Sequence, residues 1–204
     1  MNLHRTSGKP DWVTIRPSER NVFQKVAAAT GGILTPANII SFIGLGLVTY
    51  GLILVLNHDF WFGLVLLAAG RLLDIVDGLV AEVTHTKSPL GELVDASIDK
   101  VCTVLTVLAL FIASVADWWV VAALLLPQLL ILGVIFYKRQ QGIGVHPTRA
   151  GKLSMLFLWV TIIGLLLVKA LGYILTLALG VYIIAGLSII LGMYALWQYA
   201  TGRD

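Results

Sequence analysis

Residues 73–100 read LDIVDGLVAEVTHTKSPLGELVDASIDK, an acidic segment between two long apolar runs. The segment holds six of the 11 acidic residues in the chain, although 58% of the chain is hydrophobic. The flanking runs predict helices, and the short link through Pro89 predicts that the two helices are antiparallel neighbours. An ionised carboxylate at membrane depth is costly unless a positive charge compensates it, so the segment predicts bound metal ions.

The apolar runs of the chain predict an all-α membrane protein. The mean hydropathy is +0.92 and only 12% of the residues are charged, which is typical of a polytopic membrane protein. Runs near the length needed to cross a bilayer, about twenty residues, must be helical because an isolated strand cannot satisfy its backbone in lipid. We expect six transmembrane helices, over residues 37–56, 60–81, 93–115, 118–137, 153–170 and 172–198.

The segment before the first apolar run mixes polar and apolar residues. Over residues 18–32 the apolar Val22, Phe23 and Val26 alternate with polar residues, and Gly31-Gly32 follows. This pattern predicts an amphipathic helix that lies at the membrane interface and ends at the glycines. We therefore expect two regions: 1–32 is a cytoplasmic tail with this interfacial helix, and 33–204 is a six-helix transmembrane catalytic domain.

The distribution of lysine and arginine predicts the orientation. Nearly all of them lie in the N-terminal tail and in the loops on the same side of the predicted bundle, with Lys169 on the other side. By the positive-inside rule, both termini and the acidic segment face the cytoplasm. Residues 60–73 would span about 21 Å as a helix, less than a hydrocarbon core of about 30 Å. We expect a multi-pass protein of a bacterial inner or cell membrane, with its active site at cytoplasmic headgroup depth and no nucleic-acid partner.

Helical spacing brings the aspartates together in two pairs. Asp74 and Asp77 share one face of the first helix, and Asp95 and Asp99 share one face of the next. Four carboxylates from two neighbouring helices can converge, and ligation by oxygen alone suits Mg²⁺ or Mn²⁺. Two such ions would balance the four carboxylates, and paired metals suit displacement at phosphorus. The small residues Gly78 and Ala81 leave room on the same face for a ligand.

The chain carries the pattern Asp74-x2-Asp77-Gly78-x2-Ala81-x9-Gly91-x3-Asp95-x3-Asp99. The pattern resembles the signature of the CDP-alcohol phosphotransferase family, also called CDP-alcohol phosphatidyltransferases. These integral membrane enzymes transfer a substituted phosphate from a CDP-linked donor to an alcohol and release CMP. The segment 148–152 is similar to the basic segment before the fifth helix of bacterial phosphatidylglycerophosphate synthases. The resemblance therefore implies an enzyme of phospholipid biosynthesis.

The resemblance also implies a role for each position of the motif. Asp99 would complete the metal cluster and act as general base on the acceptor hydroxyl. The other aspartates would bind the two ions: Asp74, Asp77 and Asp95. The small residues would line the cytidine site: Gly78, Ala81 and Gly91. The donor would be a CDP-diacylglycerol-like lipid, and a homodimer is expected by resemblance.

Basic residues outside the motif favour a small anionic acceptor. Glycerol 3-phosphate is favoured, and inositol phosphate stays open. The residues that would contact the acceptor or a phosphate are Arg71, Lys138, Arg139, Arg149 and Lys152. Each has an alternative interpretation: Arg71 as a structural ion-pair partner of Asp74, and the others as markers of the cytoplasmic side.

One position departs from the family pattern. The family usually has Arg directly after the alanine, where this chain has Glu82. Either Glu82 turns outward, or the donor is held differently, with Arg71 supplying the missing cation. Two other functions stay open. The aspartates could serve a cation-coupled transporter, or the chain could be an impaired family homologue with a binding role.

Overall fold

The computed structural model describes residues 16, 18–30, 35–84, 89–141 and 148–202. The side chains at 27, 89–98 and 139 lie outside this description. Secondary structure within the described ranges is entirely helical, which confirms the all-α class. The helices are α1 Val22–Ala29, α2 Pro36–Leu56, α3 Phe60–Val83, α4 Pro89–Ile112, α5 Trp118–Gln140, α6 Arg149–Ala170 and α7 Leu175–Thr201.

Each predicted apolar run corresponds to one of the helices α2 to α7. Around the acidic segment, α3 continues to Val83 and α4 already begins at Pro89, so both helices extend beyond the predicted runs. Proline suits this first position, because the N–H that it lacks would have no helical partner there. The motif residues therefore lie inside the two helices, not beyond their ends.

Four of the described helices are long and apolar enough to cross a membrane: α2, α5, α6 and α7. Exposed leucine and isoleucine side chains run along α7, as expected for a helix surrounded by lipid: Leu175, Leu179, Ile183 and Ile190. This is the architecture of an integral membrane protein. Helices α3 and α4 are not among the four because each of them carries several charged residues between positions 71 and 100. The count of six transmembrane helices therefore stays a prediction.

Helix α1 is shorter than the predicted segment of residues 18–32. It begins after Asn21, whose side chain accepts from the Gln24 backbone while the Gln24 side chain accepts from the Asn21 backbone. It ends at Ala29, and the predicted glycine stop at residues 31–32 lies outside the described residues. Gln24 is buried, whereas Val22 and Phe23 are exposed. Placement of this helix at a membrane interface stays a prediction.

The chain divides into two compact units, Met1–Gly51 with Val65–Thr103, and Leu52–Leu64 with Val104–Asp204. The first unit contains the close approach of α2 and α3. A side chain added at Gly70 would place its Cβ 2.6 Å from Val48 Cγ2 and 2.9 Å from the Gly44 carbonyl oxygen. Only a residue without a Cβ fits there, so the two backbones can approach closely.

The second unit contains α5, α6 and α7. Leu158, Ile162 and Leu166 are fully buried along α6. At one end of this unit, Lys169 Nζ donates to the Ser114 carbonyl at 3.0 Å and lies 5.9 Å from the Phe60 ring centroid. The start of α3, the end of α4 and the end of α6 therefore meet, as an antiparallel arrangement requires.

Candidate active site

Asp77 of α3 lies on the face that meets α2. Asp77 is almost fully buried, with 4% of its surface exposed, although it is ionisable. Its carboxylate accepts a hydrogen bond from the hydroxyl of Ser41 on α2. A buried carboxylate needs such a donor, because burial removes its hydrogen bonds to water. The close packing of α2 on α3 at Gly44 and Gly70 therefore holds Ser41 against Asp77.

Arg71 connects α3 to α4. Its Nη1 donates to Asp74 Oδ2 at 2.5 Å, within α3, and also to Asp99 Oδ1 on α4. All three side chains are partly buried, with between 21% and 31% of their surface exposed. One nitrogen thus brings together carboxylates from the two helices on which the sequence predicted them. The ion-pair interpretation of Arg71 is correct for Asp74 and extends to Asp99, and a ligand role for Arg71 stays a prediction.

The donor chemistry at this point fits a hard divalent cation. Asp74 and Asp99 direct oxygen atoms at a single positive group, and Asp77 follows Asp74 by one helical turn. Mg²⁺ and Mn²⁺ prefer carboxylate oxygens in such positions. The described residues contain no group of three or more potential ligands already arranged around one point. The Asp95 side chain lies outside the described residues, and Arg71 lies between the carboxylates of Asp74 and Asp99.

The small residues of the motif leave space on α3. Gly78 is exposed, and a Cβ added there would meet nothing within 4 Å. No packing contact within the described residues therefore requires glycine at this position, unlike Gly70. Ala81 is partly buried on the same face, and the surroundings of Gly91 lie outside the described residues. The Glu82 side chain is exposed, so of the two alternatives for this residue the structure favours the outward orientation.

The other predicted basic residues lie in the second unit. Thr148 caps α6 by accepting from the Gly151 N–H, and its own N–H donates to the Tyr199 hydroxyl of α7 at 3.0 Å. The start of α6 is thereby fixed, with Arg149 and Lys152 exposed on it. The Arg139 side chain lies outside the described residues. A Cβ added at Gly202, the C-cap of α7, would lie 3.9 Å from the Nζ of Lys138.

Lys138 is therefore placed near the end of α7, where a positive charge is favourable beside the last carbonyl groups. This gives Lys138 a structural role that does not require an acceptor. Contacts of Lys138, Arg139, Arg149 and Lys152 with an acceptor stay predictions.

Ser41 was missed by reasoning from the sequence. A single serine in an apolar helix is a weak signal, because it often bonds the backbone of its own helix. Ser41 does contact the Ala37 carbonyl at 3.1 Å, but it also reaches Asp77, 36 residues away. Only the packing of α2 against α3 identifies it as a partner of the acidic residues.

Comparison with known proteins identifies the class of protein. The family model for CDP-alcohol phosphatidyltransferase matches residues 34–193, which includes helices α2 to α6 and most of α7. This chain therefore belongs to the CDP-alcohol phosphatidyltransferase family. The resemblance deduced from the aspartate motif is confirmed.

Individual relatives match over shorter lengths. The chain is 29% identical over 122 residues to proteins of Mycobacterium tuberculosis and Mycobacterium bovis that carry the name "Putative cardiolipin synthase". That match covers 59% of this chain and 58% of the mycobacterial proteins, so it spans little more than half of their length. A second relative is the archaetidylinositol phosphate synthase of Aeropyrum pernix, 44% identical over 61 residues. It covers 30% of this chain and 31% of that protein.

Proposed function

We propose that this chain transfers a phosphatidyl group from a CDP-diacylglycerol-like lipid to a small hydroxylated acceptor and releases CMP. The observation that carries the proposal is the convergence of Asp74 and Asp99, from two helices, on one positive group. In a family defined by CDP-linked donors, such a site has a direct use, because a diphosphate must be neutralised before CMP can leave. The names of both kinds of relative, putative cardiolipin synthase and archaetidylinositol phosphate synthase, describe the synthesis of lipids, which supports a lipid donor.

The proposed site is a two-metal centre. Two Mg²⁺ or Mn²⁺ ions, held by Asp74, Asp77, Asp95 and Asp99, would neutralise the donor diphosphate and stabilise the departing CMP. Ser41 would orient Asp77 through their hydrogen bond. The open position at Gly78, with Ala81 and Gly91, would accommodate the cytidine.

Asp99 is the proposed general base. The acceptor hydroxyl oxygen attacks the β-phosphorus, and the bond from that phosphorus to the oxygen of CMP breaks. Asp99 takes the hydroxyl proton as the new bond forms, and CMP leaves with the electron pair of the broken bond.

The acceptor is proposed to be anionic. The exposed Arg149 and Lys152 at the start of α6 support a phosphate-bearing alcohol. Glycerol 3-phosphate is favoured, and inositol phosphate is the alternative that the name of the Aeropyrum relative supports. The finer description of the molecule is also proposed. It comprises six transmembrane helices, both termini and the site on the cytoplasmic side, and a homodimer in a bacterial membrane.

An acceptor panel tests the proposed function. The full-length chain, purified into lipid nanodiscs, is incubated with CDP-diacylglycerol, Mg²⁺ and one acceptor at a time, and both CMP and the lipid product are measured. The acceptors are glycerol 3-phosphate, inositol phosphate and a glycerophospholipid with a free hydroxyl. We expect the highest rate with glycerol 3-phosphate. Ion flux into liposomes without CMP release would support the transporter instead.

The impaired-homologue alternative depends on Glu82. Because the Glu82 side chain is exposed, we expect the substitution Glu82→Arg to change CMP release by no more than about twofold, within the small range typical of surface changes. A large gain in turnover would instead show that an arginine was missing from the site.

A further inference from the structure

One nitrogen of Arg71 lies between two carboxylates that belong to the proposed metal site. Nη1 donates to Oδ2 of Asp74 and to Oδ1 of Asp99, so both oxygens lie within hydrogen-bond distance of the same atom. Asp74 and Arg71 are on α3, whereas Asp99 is on α4. The guanidinium of Arg71 therefore links α3 to α4 at their charged residues.

The position of this nitrogen has a physical consequence. Two partly buried carboxylates at such close range repel each other strongly unless a cation lies between them. Arg71 supplies that cation from within the chain. Nη1 now occupies the position between Oδ2 of Asp74 and Oδ1 of Asp99. A divalent ion held by both residues would need that position and would repel the positively charged guanidinium, so the two cations compete for it.

We propose that Arg71 is a built-in substitute cation, which holds the site together before metal binds and is displaced when a divalent ion enters between Asp74 and Asp99. The inference rests on the metal site of the proposed function. It adds that metal binding competes with an internal ion pair. Metal affinity in the absence of donor is then lower than the carboxylates alone would give. Arg71 is thus a positioning residue, which acts on the metals through the aspartates.

The competing interpretation is a permanent structural ion pair. In that case Arg71 stays on the aspartates whether or not metal is present, and its removal weakens the fold equally in both conditions. The two interpretations predict different changes in metal affinity when Arg71 is removed. A competitor's removal strengthens metal binding, whereas the removal of a structural support leaves it unchanged or weakens it.

Titration with Mn²⁺ alone, followed by electron paramagnetic resonance, measures this difference on the full-length chain in detergent without donor or acceptor. We expect Arg71→Gln to bind Mn²⁺ about tenfold more tightly than the unmodified chain, a change of ~1.4 kcal/mol. Lys100→Gln is the matched control, because it removes a cation next to Asp99 that does not bridge the two aspartates. We expect the control to change the affinity much less.

Thermal unfolding with and without Mn²⁺ provides the second readout. Without metal, Arg71→Gln leaves its two carboxylates uncompensated, so we expect a lower melting temperature than in the unmodified chain. Saturating Mn²⁺ should restore most of that loss, because the ion then supplies the missing charge. Arg71→Lys keeps a positive charge and is the variant to measure if Arg71→Gln fails to fold. The Mn²⁺ affinity of Arg71→Lys should lie between those of the unmodified chain and Arg71→Gln.

Two results together would overturn the inference: Arg71→Gln binds Mn²⁺ no more tightly than the unmodified chain, and Mn²⁺ does not restore its lower melting temperature. If the unmodified chain still releases CMP with Mn²⁺, these results leave the proposed function standing. If Arg71→Gln cannot be folded, equal or weaker binding by Arg71→Lys overturns the inference in the same way. Failure of the unmodified chain and both Arg71 variants to bind Mn²⁺ would remove the metal site and the inference with it. The affinity measurement and the CMP measurement thereby separate the two failures.

Discussion

Two polar clusters among the residues that the structure describes differ in how their groups are paired. In the second unit, the hydroxyls of Ser154 and Ser188 each donate to the other residue's carbonyl at 3.0 Å, which joins α6 to α7. In the first unit, Arg71 donates hydrogen bonds to the carboxylates of Asp74 and Asp99. The serine cluster, Ser154 and Ser188, is neutral and bonds to backbone carbonyls. The acidic cluster, Asp74 and Asp99 with Arg71, is built from charged side chains.

The difference in pairing distinguishes a cluster that holds helices together from a cluster that is suited to chemistry. Neutral hydroxyls that bond across helices stabilise a membrane bundle by modest amounts and need no ligand. Charged groups that are partly buried in an apolar chain are expensive, so a chain that keeps them is expected to use them. The acidic cluster is accordingly the functional candidate, and the serine cluster is a structural one. Substitutions in the two clusters should therefore affect different measurements.

The largest effect is expected for Asp99→Asn. Removal of the proposed base should lower CMP release on the order of 10³-fold, within the range known for general-base catalysis. The melting temperature should change little, because the amide can still accept from Arg71. Asp117→Asn, at an exposed aspartate in the turn before α5, is the control and should retain full activity. Activity close to that of the unmodified chain in Asp99→Asn would remove this residue from the chemistry.

The next effect is expected for Ser41→Ala. Loss of the hydroxyl removes the hydrogen bond that buried Asp77 accepts from a side chain of α2, so its carboxylate is less well oriented toward a metal. Partners that orient a ligand typically contribute 10–100-fold in metal affinity, and we expect about tenfold here. Thr49→Ala removes a hydroxyl from the same helix that bonds only the Leu45 carbonyl in the described contacts. Equal Mg²⁺ requirements in the two variants would mean that Ser41 only supports packing.

A smaller effect is expected for Gly78→Leu. The open space at Gly78 means that a leucine should fit without destabilising the helix pair. If cytidine occupies that space, the KM for the donor should rise by about fivefold, or ~1 kcal/mol, while kcat changes little. Gly46→Leu, at another open glycine on α2, is the matched control and should leave KM unchanged. An unchanged donor KM in Gly78→Leu would place the nucleotide elsewhere.

The smallest effect on activity is expected for Ser154→Ala. The serine hydroxyl donates to the Ser188 carbonyl and accepts from Gln128 Nε2 at 3.0 Å, so its loss leaves buried groups unpaired. We expect a loss of about 1–3 kcal/mol in the free energy of unfolding. CMP release per folded molecule should be unchanged. A large loss of turnover with normal stability would contradict the division between the two clusters.

The sequence predicted the helices well because their signal is local. Each apolar run of suitable length became a helix, and helical spacing correctly placed Asp74 within reach of Arg71. The contacts between helices were not predictable in the same way. The Ser41–Asp77 bond depends on the close approach of α2 and α3. The Arg71–Asp99 bond depends on how α4 returns beside α3, which no local pattern specifies.

A metal-dependent transferase must lose its activity when its divalent ions are removed. The purified chain is freed of metal with a chelator, and CMP release from CDP-diacylglycerol and glycerol 3-phosphate is then followed as Mg²⁺ is added. We expect no release without metal, recovery as Mg²⁺ rises, and no recovery in Asp77→Asn. CMP release that persists in the metal-free chain, or that returns equally in Asp77→Asn, would contradict this expectation.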